Sequence, residues 1–174
     1  MAPKMKRSSF LITGAWVLQG TAWFLPVVTS IGGGSIDPIY GPGAFLLASS
    51  AAWPGTTSLG TWYDTVLATF SSVTTLLFII GSPWVALRGS RSIRRASAGG
   101  AALAFVINAH WYVLRTPGGW VSGLGMGYLL WWCSFLILAI GLFDLAGEHD
   151  AHATRPQPSN LAPRQYEVVS RLKP

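Results

Sequence analysis

Four long segments without charged side chains constrain this chain more than any other feature of its sequence. They cover about residues 10–28, 65–87, 96–114 and 120–143. Each is close to the roughly 20 apolar residues that a helix needs to cross a bilayer. Strands of a membrane barrel would alternate in polarity over about ten residues, and these segments do not alternate. Because helices satisfy their own backbone hydrogen bonds in lipid, the sequence predicts an all-α membrane protein, a four-helix transmembrane bundle.

The distribution of basic residues predicts the orientation of this bundle. Every Lys and Arg except Arg115 falls in the N-terminal arm 1–9, in the loop after the second segment, or in the tail 147–174. The positive-inside rule therefore places both termini in the cytoplasm. The layout is typical of small multi-pass proteins of the bacterial inner membrane, either the cytoplasmic membrane or its intracytoplasmic extensions. Because the basic residues lie between apolar runs, we expect no binding to nucleic acid, despite the net charge of +6.

The connection 29–64 is then exoplasmic, and its length indicates a function. It contains no Lys or Arg, and it opens with turn signals at Gly32–Gly34 and in DPIYGPG, residues 37–43. The apolar piece 43–53 is too short to span, so we expect a short helix in the interface or over the bundle. The cytoplasmic tail 147–174 is polar and contains proline. A tail of this kind becomes ordered only against a partner, so we expect a partner surface there.

His110 is the strongest candidate for a cofactor ligand inside the membrane. A neutral imidazole could bind haem iron or the magnesium of a chlorophyll. The alternative is a hydrogen bond to another helix or to interfacial water, and no second intramembrane histidine is present for a bis-histidine haem. Gln19 and Asn108 are the other strongly polar side chains in the segments, and each is expected to bond across helices.

Trp131 and Trp132 stand together in the middle of the fourth segment, beside the single cysteine, Cys133. Successive residues of a helix point about 100° apart, so both indoles cannot face one neighbouring helix squarely. An indole N–H in hydrocarbon needs an acceptor. A pigment, a quinone or another subunit would supply one, and so would a Ser or Thr of a neighbouring helix. We therefore predict His110, Trp131 and Trp132 as contacts of a (bacterio)chlorophyll, a carotenoid or a quinone at an interface.

Small and basic residues indicate where other molecules contact the bundle. Gly123 and Gly127 form a GxxxG pattern, which allows close helix approach. The third segment has a face of small residues, namely Ser97, Gly100, Ala101 and Ala104. Four arginines of the cytoplasmic loop are predicted to contact a partner or lipid headgroups, namely Arg88, Arg91, Arg94 and Arg95.

The sequence offers no catalytic pattern and no metal-binding pattern. No acid or base lies at the centre of a segment, which argues against a pump or ion-coupled transporter. We therefore expect a non-enzymatic accessory subunit of a larger energy-converting membrane complex, of the photosynthetic reaction-centre or light-harvesting type rather than the respiratory type. Its partners would be other membrane subunits and lipids. The alternatives are a stand-alone small-molecule carrier or membrane enzyme using Gln19, Asn108 and His110, and a sensor built on the exoplasmic loop.

Overall fold

The computed structural model describes residues 6–31, 34–50, 62–113 and 121–153, and it is mostly helical with a small sheet. The elements follow in chain order: α1 (Arg7–Ala22), β1 (Pro26–Ile31), β2 (Gly34–Tyr40), α2 (Gly41–Ser50), α3 (Trp62–Arg88), α4 (Arg91–Asn108), a helical turn (His110–Val113), β3 (Val121–Leu124) and α5 (Met126–Ala153). The remaining parts of the predicted loop 29–64 and of the tail 147–174 lie outside the described residues.

Helix α5 is the central element, because α1 and α4 both pack along it. The core between the helices contains Phe78 of α3 together with Phe135, Leu138 and Leu142 of α5. Alanines face this core from α1 and α4, which lets those helices approach α5 closely. Of the small-residue face predicted for the third segment, Ala101 and Ala104 lie in this core, whereas Gly100 is exposed and has no atom within 4 Å of an added methyl group.

Helix α3 changes its pitch in the middle. Residues Leu77–Gly81 form a π-helical turn between two α-helical parts. Pro83 follows, and a proline ring would clash with the carbonyl four residues earlier in a regular helix. A π turn is one of the ways in which a long helix accommodates such a disruption.

Three antiparallel strands in the order β2-β1-β3 form a sheet that the sequence did not predict. In the hairpin, Ser30 pairs with Ser35, and on the other side of β1 Val28 pairs with Leu124. The sheet corrects two predicted span ends. The first helix ends at Ala22 and not near Val28, and the last begins at Met126 and not near residue 120.

The chemistry of the strand residues explains this error. Pro26 disfavours the helical conformation of the residue before it and has no N–H for a helix. The β-branched residues that follow favour extended backbone. They are as apolar as helix formers, so hydropathy alone could not separate the strand from the helix.

Two helices are long and apolar enough to cross a membrane by length and composition, Trp62–Arg88 and Met126–Glu148. They correspond to the second and fourth predicted spans. Helix α1 has 16 residues, and α4 has 18 residues that include three arginines. The third predicted span is also displaced, because α4 begins at Arg91 and ends at Asn108, and only a helical turn follows.

Candidate functional site

A buried polar network centred on Asn108 joins α4, α3 and α5. The amide oxygen of Asn108 accepts from Ser71 at 2.6 Å, and its amide nitrogen donates to Thr74 at 3.2 Å and to the Ala104 carbonyl at 2.9 Å. The hydroxyl of Tyr128 donates to the Asn108 carbonyl at 2.5 Å. Asn108 is fully buried and sits at the end of α4, where the backbone carbonyl has no helical partner. Tyr128 therefore satisfies a group that the end of the helix leaves free.

The two central tryptophans use their N–H groups within the chain. Trp131 donates to Thr75 of α3 at 3.0 Å, and Trp132 donates to the Phe105 carbonyl of α4 at 2.7 Å. The Trp132 ring also stacks on Phe105, with ring centroids 4.5 Å apart. For Trp131 this geometry is the alternative that the sequence left open, a hydroxyl on a neighbouring helix. The predicted contact of Trp131 and Trp132 with a pigment or quinone stays a prediction.

His110 lies in the helical turn after α4, against Trp111. Its Nδ1 lies 2.7 Å from the Ile107 carbonyl. Since a carbonyl only accepts, Nδ1 carries the proton. The other ring nitrogen, Nε2, is therefore an acceptor in the neutral ring, and it has no hydrogen-bond partner among the described residues. The predicted role of His110 as a cofactor ligand stays a prediction.

Gln19 bonds across helices, as the sequence predicts, but its partner is a single serine. Its side chain lies 2.7 Å from the hydroxyl of Ser134, which also lies 2.6 Å from the Trp131 carbonyl. The amide nitrogen of Gln19 has no partner among the described residues, although the side chain is buried. Gln19 and Asn108 belong to separate contacts, and within the described ranges no hydrogen bond brings them together in one site.

A cavity of about 110 Å³ lies beside this network, between the helices and the sheet. Its walls come from α1, β1, α2, α3, β3 and α5, and include Trp131 but not Trp132 or His110. The lining is mostly apolar. Its polar side-chain groups are the hydroxyls of Ser71, Ser72 and Thr75 of α3, the hydroxyl of Tyr128 and the indole N–H groups of three tryptophans, namely Trp23, Trp111 and Trp131. Sequence reasoning missed this site because the strands that help to close it were not predicted, and a position over the bundle was only one of two alternatives for the short helix that became α2.

Gly123 and Gly127 do not form the predicted helix face, and their predicted contact with a partner or lipid stays a prediction. Gly123 lies in β3, so the GxxxG residues do not share a helix face. A methyl group on Gly127 would lie 2.7 Å from the Leu25 carbonyl oxygen, and one on Gly123 would collide with the Ser30 side chain. The close approach is thus between backbone segments of this chain, where β1 passes the start of α5.

The arginines of the predicted cytoplasmic loop lie where α3 ends and α4 begins. Arg94 is buried, and its guanidinium donates to the carbonyls of Val85 and Ala86 in the last turn of α3. This contact caps α3, whereas Arg88, Arg91 and Arg95 are exposed. The predicted contact of these arginines with a partner or lipid headgroups stays a prediction.

The acids at the end of α5 contact the N-terminal arm. Lys6 pairs with Glu148 at 3.2 Å and Arg7 with Asp144 at 3.1 Å, and Ser8 donates to Glu148. The sequence did not indicate these pairs, because they join residues at opposite ends of the chain. They hold the start of α1 against the C-terminal part of α5.

In the described ranges, no group of three or more His, Cys, Asp or Glu side chains could hold a metal ion. Comparison with protein-family models, with curated proteins and with solved structures found no match to this chain. A functional assignment therefore depends on the geometry of the residues.

Proposed function

We propose that this chain is an integral membrane protein in which α1, α3, α4 and α5 all lie in the bilayer. The sheet and α2 would lie on the exoplasmic side, and both termini would be cytoplasmic. We further propose that it acts as a non-catalytic accessory subunit of a larger membrane complex.

Outward-facing apolar side chains support the membrane location. Val17 of α1, Ile80 of α3, Val106 of α4 and Phe143 of α5 are each more than half exposed. In both α3 and α5, less than half of the most apolar 18-residue stretch is buried inside the protein. A core helix of a water-soluble protein would bury such a surface, whereas lipid or another membrane subunit can cover it.

The observation that carries the structural role is the way the interior polar groups pair with one another. Asn108, Ser71, Thr75, Trp111 and Trp131 form hydrogen bonds within the chain. Such pairing fixes the positions of the helices. It is more typical of a rigid structural subunit than of a site at which a reaction takes place. The predicted host is photosynthetic rather than respiratory, with pigment or quinone contacts at the interface.

A stand-alone carrier of a small molecule is the second candidate, and the cavity beside α3 favours it. The two functions differ in whether other subunits stay bound to the protein after solubilisation. An accessory subunit remains with its complex in mild detergent, whereas a carrier runs alone.

The test is to solubilise native membranes in mild detergent, separate the complexes by size, and record the absorption spectrum of the fraction that contains this chain. We expect a large coloured assembly whose pigment or haem bands identify the host. A colourless particle near the mass of the chain, 18.6 kDa plus detergent, would contradict the accessory role and leave the carrier.

A further inference from the structure

We propose that the cavity between the helices and the sheet is a binding site for a single-ring phenol, held by aromatic walls and by a hydroxyl group that accepts the phenol proton. This inference concerns a ligand of the chain itself and does not depend on the host complex.

The size of the cavity sets the size of the ligand. Its volume is about 110 Å³. An apolar cavity of about 150 Å³ in another protein binds benzene, so the smaller space here admits at most one ring and excludes a fused ring system. Aromatic side chains provide a large part of the lining, namely Trp23, Phe45, Trp111, Tyr128 and Trp131. Such walls favour a planar aromatic ligand, because ring pairs gain from stacked and edge-to-face contacts.

The polar atoms on the α3 wall determine the kind of polar group that the ligand carries. Ser72 donates its proton to the Ala68 carbonyl at 3.1 Å, and Thr75 donates to the Ser71 carbonyl at 2.8 Å. A hydroxyl has one proton and two lone pairs. Once the proton is used, the Ser72 oxygen can only accept, and no described residue donates to it.

Two of the three indoles that line the cavity, those of Trp111 and Trp131, already donate their N–H to this wall. Trp111 donates to Ser71 at 3.1 Å, and Trp131 donates to Thr75 at 3.0 Å. Among the described residues, the α3 wall therefore presents acceptors and no available donor. An oxidised quinone offers only carbonyl acceptors, so it would meet this wall without a hydrogen bond. A phenol offers a donor, and Ser72 is the group that receives it.

The experiment uses the full-length protein in lipid nanodiscs and follows ¹⁹F NMR shifts of three ligands. The ligands are 4-fluorophenol, 4-fluoroanisole, in which a methyl group replaces the donor proton, and fluorobenzene. Empty nanodiscs measure simple partition into lipid. We expect saturable binding of all three to the protein, with the phenol binding most tightly.

Two variants assign the effect to the cavity and to its acceptor. Ser72→Ala should weaken phenol binding about fivefold, the value of one hydrogen bond, and leave fluorobenzene unchanged. The matched control is Thr69→Val, because Thr69 makes the same kind of bond, to the Thr65 carbonyl, outside the cavity lining. This control should bind all three ligands as the unmodified chain does.

Filling the space should abolish binding of every ligand. Ala68→Leu adds volume from α3, and Ala48→Leu adds it from α2, so one variant serves if the other does not fold. Equal affinities for the phenol and the anisole, or a Ser72→Ala variant without effect, would overturn the acceptor role. Absence of saturable binding by any ligand would show that water or a lipid chain fills the cavity, and would overturn the proposal.

Discussion

At the residue scale, the two buried amide side chains among the described residues differ in how completely their hydrogen-bonding groups are satisfied. Both Asn108 and Gln19 are almost inaccessible to solvent. Asn108 uses its oxygen and its nitrogen, in bonds to Ser71 and Thr74. Gln19 contacts Ser134, and its amide nitrogen has no partner among the described residues. A buried donor without a partner costs free energy, about 1–3 kcal/mol, so the two amides are expected to contribute differently to stability.

Asn108→Leu keeps a side chain of similar size and should destabilise the fold by about 1 kcal/mol, because two bonds between helices are lost at about 0.6 kcal/mol each. Gln19→Met is the matched comparison and should leave stability unchanged or higher, since it removes the unpaired nitrogen. Thermal unfolding in detergent, followed by tryptophan fluorescence, measures both midpoints. A larger loss for Gln19→Met than for Asn108→Leu would contradict the assigned difference between the two amides.

At the element scale, the contact between β1 and the start of α5 depends on the absence of side chains. A methyl group on Gly127 would meet the carbonyl oxygens of Leu25, Pro26 and Ala22 within 3.1 Å. These are backbone atoms and cannot move aside as a flexible side chain can. The close approach lets β1 pair with β3 and brings the sheet over the cavity.

Gly127→Ala should therefore lower the unfolding midpoint, by an overpacking cost of about 1–3 kcal/mol. Gly147→Ala is the control in the same helix, because nothing lies within 4 Å of the added methyl group. It should be neutral or stabilising, since alanine favours a helix by about 1 kcal/mol over glycine. If both variants unfold at the same temperature, the close approach does not constrain the fold.

At the scale of the whole molecule, the described basic residues and the sheet lie at opposite ends. Lys6, Arg7, Asp144 and Glu148 pair at one end, and the basic start of α4 caps α3 there. The sheet and α2 lie beyond the other end of α1, and β1 contains no charged residue. This asymmetry supports the proposed orientation, in which the basic end is cytoplasmic.

Single cysteines test that orientation. In a Cys133→Ser background, Ser35→Cys in β2 should react with a membrane-impermeant maleimide on intact spheroplasts. Ser92→Cys at the start of α4 should react only after lysis. Both positions are exposed in the fold, so a difference in labelling reports the side of the membrane. Labelling of Ser92→Cys in intact spheroplasts, with Ser35→Cys protected, would reverse the orientation.

The amino-acid sequence by itself was sufficient for the helical character of the chain, for two apolar helices of membrane-spanning length and for the polar bonds of Gln19 and Asn108 between helices. These properties depend on composition over 20-residue windows and on the need of buried polar groups for partners, both of which are local. The interpretation of Gly123 and Gly127 as one helix face was wrong, because hydropathy does not register the strand conformation of residues 121–124.

Only the tertiary structure decided the sheet, the start of α5 and the cavity, whereas Pro26 is a local signal for the end of α1. Val28 and Leu124 are far apart in the chain, and their pairing depends on the helices that bring β1 and β3 together. The α3 wall of the cavity also depends on contacts between distant segments. Ser72 and Thr75 donate their protons to backbone carbonyls of α3 itself, but the cavity that their oxygens face is closed by α2 and β1. Contacts between distant segments have no local signal, so a site made from them is absent from any window of the sequence.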